Sequence, residues 1–285
     1  MKKGLVMEGG AMRGMYTAGV TDVMMENNIS FDGAIGVSAG AVFGCNYKSN
    51  QPGRAIRYNK KYCCDKRYVS FSSLIRTGDL YNVDFGYHQL PERLDPFDAE
   101  TFSSSPMEFY VVCTDVMTGK AVYHKCQKGD RQDLEYMRAS ASMPMLSRFV
   151  EIDGMLLSDG GTSDSIPVRF FESIGYKHNV VILTQPYGFV KQKNKYMPII
   201  RRALRKYPKL INALENRHKV YNDTLEYIEE KEKSGDFLVI RPSHALNVGA
   251  MEKDPEKLED VYQLGREDAL KMLEKIRGFV SKQEK

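Results

Sequence analysis

The chain has little of what marks a membrane-spanning or disulfide-stabilised protein. No apolar run among its 285 residues is long enough to cross a bilayer, and the first residues lack the long apolar stretch and cleavage site of a signal peptide. The five cysteines are scattered and odd in number, which argues against a disulfide framework and favours the reducing cytoplasm. Because the cysteines and the five histidines have no metal-ligand spacing, we expect no metal and no other cofactor.

Positive charge is concentrated in one segment, residues 191–219, which has ten lysines and arginines against one acidic residue, Glu215. Its apolar residues recur at helical spacing, interrupted once by Pro208. A basic amphipathic segment either lies on an anionic membrane, here the inner membrane surface, or packs its apolar side against the domain, and the sequence leaves both open. No nucleic-acid recognition motif accompanies the charge, so nucleic acid is not an expected partner. The sequence indicates no oligomeric state.

Hydrophobic residues make up 42% of the chain, enough for the core of one large α/β domain or of a domain with a helical appendage. Apolar runs predict strands at residues 3–7, 31–35, 109–113, 121–124, 180–184 and 237–240. Asp254 and Pro255 mark the start of a final amphipathic helix. The segment 51–105, rich in tyrosine, serine and charge, is expected to include loops at the mouth of a site.

The segment Gly36-Val37-Ser38-Ala39-Gly40 is typical of a nucleophile elbow, a tight turn between a strand and a helix with serine at its tip. Gly36 and Gly40 lie two residues from Ser38 on either side, where strand and helix pass so close that small residues are required. Because three fixed positions also occur by chance, a glycine-rich turn with a solvated serine is the alternative.

A second glycine cluster, Gly9-Gly10-Ala11-Met12-Arg13-Gly14, follows the first predicted strand and precedes a helical pattern. Glycines at such a place leave backbone N–H groups free to face an anion, which suits phosphate binding or an oxyanion hole for acyl transfer. A P-loop is excluded because no Gly-Lys-Ser/Thr closes the loop, and a dinucleotide fingerprint lacks one glycine. The serine turn one βα unit later favours the oxyanion hole, with a tight turn that binds nothing as the alternative.

A third cluster, Asp159-Gly160-Gly161, follows a short apolar run. It puts a carboxylate at a strand end where another part of the chain can approach closely, although on its own it is typical of a turn. A segment of small residues, 138–144, precedes it and ends in Pro144, which stops a helix. The small residues beside the carboxylate favour a functional interpretation.

The three clusters come in the order found in the patatin-like phospholipase family, which the chain resembles over roughly residues 3–185. The resemblance is carried by the glycine turn with Arg13, the elbow at Ser38, segment 139–144 and the Asp159 cluster. Several motifs in the same order are more specific than any one of them.

The resemblance implies an α/β fold with three layers, α/β/α, around a mostly parallel central sheet. It gives residues 1–186 as the patatin-like catalytic core. We expect residues 187–285 to hold a basic helical segment, a final strand and a C-terminal helix packed on that core.

The resemblance also implies a serine hydrolase of the phospholipase A or lipid acyl hydrolase type, with a lipid or other acyl ester as substrate. Ser38 would be the nucleophile and Asp159 its base, without a histidine. The N–H groups of Gly9, Gly10 and Ala11 would form the oxyanion hole. Ala11 replaces a glycine common in the family, which matters where the position needs a positive φ. The implied supporting residues are Arg13, Gly36, Gly40, Gly160 and Gly161.

Two other interpretations stay open. A Ser–His–Asp esterase would need a histidine late in the chain, and His244, after the last predicted strand, is the best candidate. A non-catalytic lipid- or membrane-binding protein would keep the elbow as architecture only. An exposed aspartate is a weak base, with an ordinary pKa of about 3.9, so a dyad requires burial that raises the pKa of Asp159.

Overall fold

The computed structural model describes residues 2–281, and an eight-stranded sheet forms its centre. The strands are β1 (Lys2–Met7), β2 (Gly33–Val37), β3 (Glu108–Asp115), β4 (Ala121–Cys126), β5 (Val150–Ile152), β6 (Met155–Asp159), β7 (Tyr176–Ile182) and β8 (Phe237–Ile240). Their order across the sheet is β5-β6-β3-β2-β1-β7-β8, with β4 also paired to β3. The pairs that join β3, β2, β1, β7 and β8 are parallel, and the pairs made by β4, β5 and β6 are antiparallel.

Short and long helices alternate with these strands. The α-helices are α1 (Gly14–Glu26), α2 (Ala39–Lys48), α3 (Arg54–Tyr62), α4 (Phe71–Thr77), α5 (Ala99–Ser104), α6 (Arg131–Ser140), α7 (Val168–Ser173), α8 (Met197–Ala203), α9 (Pro208–Ser234), α10 (Pro255–Lys271) and α11 (Leu273–Ser281). A π-helix over Phe85–Leu94 contains Pro91. Within residues 2–281, no helix combines the length and the apolar character needed to cross a membrane.

Helices cover both faces of the sheet because its central strands are buried on both sides. In β1, Leu5 and Met7 belong to one hydrophobic core, whereas Val6 between them belongs to another. Residues of α1, α2, α10 and α11 fill the first core, and residues of α7 and α9 fill the second. The expected three-layer α/β/α fold with a mostly parallel sheet is confirmed.

The C-terminal third of the chain is tied into this architecture. Strand β8 extends the sheet beside β7, and the Tyr262 hydroxyl of α10 donates to the buried Asp22 carboxylate of α1 at 2.7 Å. In the basic segment, Ile200, Leu204 and Leu210 are buried in a third cluster, so the apolar side of this segment packs against the protein. Contact of its charges with an anionic membrane stays a prediction.

Several element boundaries differ from the sequence-based expectation, and three of the differences are the following. Strand β2 begins at Gly33 instead of residue 31, because the side chain of Asp32 accepts a hydrogen bond from the N–H of Lys3 at the entry to the sheet. Strand β7 covers Tyr176–Ile182 and so begins four residues early. The final helix is broken at Met272, whose N–H donates to the carbonyls of Asp268 and Ala269 and closes α10.

The close packing of the elbow predicts a large effect of adding one methyl group there. A Cβ on Gly40 would lie 2.4 Å from the carbonyl oxygen of Met7 in β1, and one on Gly36 would lie 2.3 Å from the oxygen of Gly40. We expect Gly40→Ala to lower the free energy of unfolding by about 3 kcal/mol, because backbone atoms have no room to yield. Urea denaturation measures the change.

The matched control for that substitution is Gly278→Ala in α11, where a Cβ meets no heavy atom within 4 Å. Alanine is the better helix former, so the control should be neutral or stabilising by about 0.5–1 kcal/mol. Equal effects of the two substitutions would show that the strand–helix approach at the elbow is looser than described.

Candidate active site

Ser38 lies at the tip of a sharp turn between β2 and α2. Its backbone has φ 53° and ψ −119°, a conformation that is strained for any residue with a side chain. The N–H of Ser38 donates to Ser140 Oγ at 2.8 Å, and the Ser140 hydroxyl donates in turn to the carbonyl of Val112. Segment 139–144 thus stabilises the elbow, because its Ser140 links Ser38 to Val112 of β3.

Asp159 ends β6, and its carboxylate is held by the turn that follows. Its Oδ1 accepts a hydrogen bond from the N–H of Gly161 at 2.7 Å. A Cβ on Gly160 would lie 2.1 Å from the carbonyl oxygen of Val112, and one on Gly161 would lie 2.9 Å from Asp159 Oδ1. The two glycines therefore let the carboxylate turn close against β3.

The environment of Asp159 suits a base. Burial raises the pKa of this carboxyl, and the charge of Arg217 and the hydrogen bonds from the Ser38 hydroxyl and the Gly161 N–H oppose that rise. Ser38 and Asp159 are 7% and 5% exposed, so their contact is shielded from bulk water. The structure thus brings together the two residues that the sequence motifs singled out 121 positions apart.

The glycine turn after β1 lies next to Ser38. A Cβ on Gly9 would lie 3.1 Å from the Cβ of Ser38. Among the hydrogen bonds of residues 2–281, none is donated by the N–H groups of Gly9, Gly10 or Ala11, so these donors are available to a ligand. Ala11 has φ 49°, the region that favours glycine, so its alanine carries strain at the turn.

Two cavities meet at Ser38 and Ala11. The first is lined mainly by apolar and aromatic side chains. Its lining includes Met12, Val42, Phe43, Tyr68, Tyr81 and Tyr87. The second measures about 360 Å³ and has a mixed lining, in which the charged side chains of Arg13 and Asp159 lie beside apolar ones such as Ile200 and Leu214. The glycines Gly9, Gly10 and Gly161 also border it. The three tyrosines of the first cavity come from segment 51–105, which confirms that this segment borders the site.

Two cations at the second cavity were not predicted from the sequence. Lys191 and Arg217 line it together with Arg13. Both belong to the basic segment 191–219, whose charges were expected on a solvated face or at a membrane. The local sequence does not distinguish them from the neighbouring lysines and arginines. Arg217 is placed by the packing of α9, and Lys191 lies in the loop after β7, which Asn222 of α9 holds through two backbone hydrogen bonds.

The histidines lie elsewhere. None of the five lines either cavity at Ser38, and the exposed His244 lines a separate pocket together with Lys257 and Leu264. Within residues 2–281, one group, His124, Cys126 and Asp133, has potential metal donor atoms within 4.8 Å of one another.

Protein contacts account for that histidine, cysteine and aspartate group. Asp133 Oδ2 accepts hydrogen bonds from three consecutive backbone N–H groups, those of residues 127–129, and Oδ1 lies 3.2 Å from His124 Nε2. Burial raises the pKa of the Cys126 thiol, which disfavours the thiolate that a metal needs. The group does not fit a metal site.

A strand–turn–helix serine beside a buried carboxylate, on a largely parallel sheet, is typical of the α/β serine hydrolases. The family model described as patatin-like phospholipase matches residues 5–171, more than half of the chain. The chain belongs to the patatin-like phospholipase family. That membership supports a lipid-hydrolysing enzyme. A second family model, a domain of unknown function named DUF6363, matches residues 207–281.

Curated relatives agree with this assignment. The uncharacterized protein YjjU of Escherichia coli K12 is 29% identical over 284 residues, which cover 92% of this chain and 74% of that protein. The lysophospholipase nte1 of Aspergillus niger is 24% identical, and the match covers 96% of this chain but 18% of the fungal protein. Among solved structures, VipD from Legionella pneumophila superposes with a TM-score of 0.47 at 11% identity, covering 96% of this chain and 67% of that chain.

Proposed function

We propose that the protein is a carboxylic ester hydrolase that cleaves the acyl esters of lipids through a Ser38–Asp159 dyad and an acyl-enzyme. The observation that carries the proposal is that Ser38 and the buried carboxylate of Asp159 line the same cavity, beneath a turn with free N–H groups. The apolar cavity that opens beside Ser38 offers a place for the acyl chain. The fungal relative's name, lysophospholipase, agrees with this substrate class.

In the first half of the reaction, Asp159 takes the proton of the Ser38 hydroxyl while Oγ bonds to the ester carbonyl carbon. The N–H groups of Gly9, Gly10 and Ala11 donate to the oxygen that becomes negative. When the intermediate collapses, the bond to the leaving alcohol breaks, and that alcohol takes the proton from Asp159. The acyl group remains on Ser38.

In the second half, water attacks the acyl carbon and gives a proton to Asp159. The fatty acid leaves, and Ser38 regains its proton from Asp159, so both side chains return to their starting states. Asp159 must be ionised at the start of each half. The fall of kcat/KM at low pH therefore reports its pKa in the free enzyme.

The proposal is tested by incubating the protein with phosphatidylcholine, lysophosphatidylcholine and p-nitrophenyl hexanoate and measuring fatty acid or nitrophenol release. We expect release from at least one lipid. Absence of turnover on all three would favour the non-catalytic lipid-binding alternative. A Ser–His–Asp esterase is less well supported, because His244 lines a different pocket from Ser38.

Arg217 should act on the reaction through Asp159. Because its positive charge lowers the pKa of Asp159, its removal lets burial raise that pKa further. We expect Arg217→Gln to move the acid limb of kcat/KM for p-nitrophenyl hexanoate to higher pH. The kcat/KM of the variant, relative to that of the wild type, should therefore be lower at pH 5.5 than at pH 8. Arg217→Lys, which keeps the charge, should bring the limb back toward its wild-type position. An acid limb at the same pH in all three proteins would show that Arg217 does not control the pKa of Asp159.

A further inference from the structure

Tyr221 joins the C-terminal region of the chain to the start of the glycine turn. It lies on α9, beyond residue 171, where the patatin-like match ends, and within the DUF6363 match at residues 207–281. Its hydroxyl donates a hydrogen bond to Glu8 Oε1 at 2.7 Å, across 213 positions of the sequence. Glu8 directly precedes Gly9, the first residue of the proposed oxyanion hole. A residue outside the patatin-like match is therefore bonded to the residue at which the turn begins.

The carboxylate of Glu8 is a buried bridge between three elements. Glu8 is 1% exposed, and its Oε2 accepts a hydrogen bond from the N–H of Thr184 at 2.6 Å, just after β7. The backbone N–H of Glu8 donates to the carbonyl of Ile182 at 3.1 Å. With the bond from Tyr221 to Oε1, one side chain ties the end of β1 to the end of β7 and to α9.

The glycine turn needs support from outside itself. Gly9 and Gly10 have no side chains that could fix them, and Ala11 has a φ of 49°, which does not favour alanine. The Thr184 hydroxyl donates to the carbonyl of Gly9 at 3.4 Å, and a Cβ on Gly10 would lie 2.8 Å from Thr184 Oγ1. The positions of the N–H groups in the turn therefore depend on two neighbours, Glu8 and Thr184.

The ring of Tyr221 is itself held firmly. It is 2% exposed, it meets the ring of Phe189 edge-on, and the Lys191 ammonium lies 4.3 Å from its centre. The next residue, Asn222, accepts a hydrogen bond from the N–H of Lys191 at 2.8 Å and donates to its carbonyl at 3.1 Å. Helix α9 and the loop after β7 thus hold the hydroxyl toward Glu8.

The hydroxyl of Tyr221 stays a donor at neutral pH. Burial holds its pKa well above the ordinary value, and the negative charge of Glu8 and the hydrogen bond to it act in the same direction, against Arg13 and Arg217. A hydroxyl that donates to an ionised carboxylate makes one of the stronger hydrogen bonds in proteins. Its removal would take a partner from a buried carboxylate, which favours a displacement of Glu8.

We propose that Tyr221 is a positioning residue for the reaction, which acts through Glu8 on the N–H groups of residues 9–11, so that the DUF6363 region completes the oxyanion hole. This inference rests on the proposed hydrolase function. An oxyanion hole is effective because its donors are in place before the charge develops, about 3 Å from where the oxyanion will lie. A displaced Glu8 would move the donors that follow it, and the transition state would lose more stabilisation than the bound ester.

Tyr227 offers a matched control on the same helix. Its hydroxyl donates to Glu172 Oε2 of α7 at 2.5 Å, and the Arg169 guanidinium lies 3.9 Å from the centre of its ring. Glu172 is buried, as Glu8 is, and Tyr227 lines neither cavity at Ser38. A change to phenylalanine there removes the same kind of hydrogen bond away from the candidate active site.

The test measures kcat and KM of the wild type, Tyr221→Phe and Tyr227→Phe. The substrate is whichever of phosphatidylcholine, lysophosphatidylcholine and p-nitrophenyl hexanoate the wild type hydrolyses fastest. We expect Tyr221→Phe to lower kcat by about 10- to 100-fold and to change KM by less than about threefold, because displaced donors weaken binding of the transition state. Tyr227→Phe should keep the wild-type kcat and KM. Thermal unfolding checks that all three proteins are folded at the assay temperature.

A second measurement uses hexyl trifluoromethyl ketone as an inhibitor. Ser38 Oγ bonds to its carbonyl carbon, the hydroxyl proton passes to Asp159, and the electron pair of the broken carbonyl π bond makes its oxygen an oxyanion that faces the glycine turn. Because this adduct uses the donors that the transition state uses, we expect its Ki to rise by about tenfold or more in Tyr221→Phe. The Ki of Tyr227→Phe should equal that of the wild type.

A double substitution shows whether the effect passes through Glu8. If Tyr221 acts through Glu8, the protein with both Glu8→Gln and Tyr221→Phe should have about the kcat of the more damaged single variant. Two independent effects would multiply instead.

Wild-type kcat and Ki in Tyr221→Phe, a raised KM at unchanged kcat, or an equal loss in Tyr227→Phe would each overturn the positioning role and leave the hydrolase proposal intact. Losses that multiply in the double variant would overturn the action through Glu8. A wild type that hydrolyses none of the three esters would overturn the hydrolase proposal and this inference with it.

Discussion

We expect the Ser38→Ala protein to lose ester hydrolysis by about 10⁴-fold or more, because loss of a serine nucleophile leaves only what substrate binding and the oxyanion hole provide. The substitution removes one oxygen atom and leaves the hydrogen bond from the N–H of residue 38 to Ser140 in place. The rate of nitrophenol release from p-nitrophenyl hexanoate measures the effect, and circular dichroism confirms that the protein is folded.

The matched control is Ser173→Ala. Ser173 is exposed at the end of α7, its hydroxyl donates to the carbonyl of Phe170, and it lines neither cavity. This variant should keep the wild-type rate. A folded Ser38→Ala protein that retains a tenth of the wild-type rate would contradict the nucleophile assignment.

Asp159→Asn should also abolish hydrolysis, by about 10³–10⁴-fold, and should stabilise the protein at the same time. An amide cannot take the proton of Ser38, so the first step lacks its base. Asparagine has nearly the same shape, and its Oδ1 can still accept the hydrogen bond from the Gly161 N–H. The geometry of the turn is therefore kept while the chemistry is lost.

The gain in stability follows from the direction of the pKa shift. The pKa of Asp159 is higher in the folded chain than in the unfolded one, chiefly through burial. Stability from such a group falls as pH rises between the unfolded and the folded pKa, so at neutral pH the ionised carboxylate destabilises the fold. We expect Asn at this position to raise the free energy of unfolding at pH 7.5 by about 1 kcal/mol, or roughly 3 °C in Tm. The gain should shrink as the pH falls, because folded Asp159 takes up its proton at a higher pH than unfolded Asp159 does.

His244→Ala serves as the control for the base, because histidine is the usual base of serine esterases. We expect its rate to stay near that of the wild type. A folded but inactive His244→Ala protein, or an Asp159→Asn protein with a tenth of the wild-type rate, would contradict the dyad in favour of a triad.

The residues at the centre of the candidate site were predictable because their signals are local. The elbow at Ser38, the turn at Gly9 and the turn after Asp159 each need small residues within a few positions, and such needs are visible in a single sequence. The strands that carry them are apolar runs, which are equally visible. Local patterns do not show that these three turns come together in space. That depends on the order of β1, β2, β3 and β6 in the sheet.

The inward cations were not predictable for a related reason. Helix α9 is 27 residues long and mostly polar, so its sequence pattern does not say which face turns to the sheet. Tyr221 decides this, because its hydroxyl bonds to Glu8 across 213 positions and so carries Arg217, one turn earlier, to the cavity. The π-helix around Pro91 was also missed, since its residues follow neither helical nor strand periodicity.

The account is tested most directly by the site and rate of covalent labelling with a fluorophosphonate, read by intact-protein mass and peptide mapping. We predict one adduct, on Ser38, that forms readily in the wild type, is absent from Ser38→Ala, and forms at least a hundredfold more slowly in Asp159→Asn. No adduct on the wild-type protein, or an adduct on another serine, would contradict the claim that Ser38 is a nucleophile activated by Asp159.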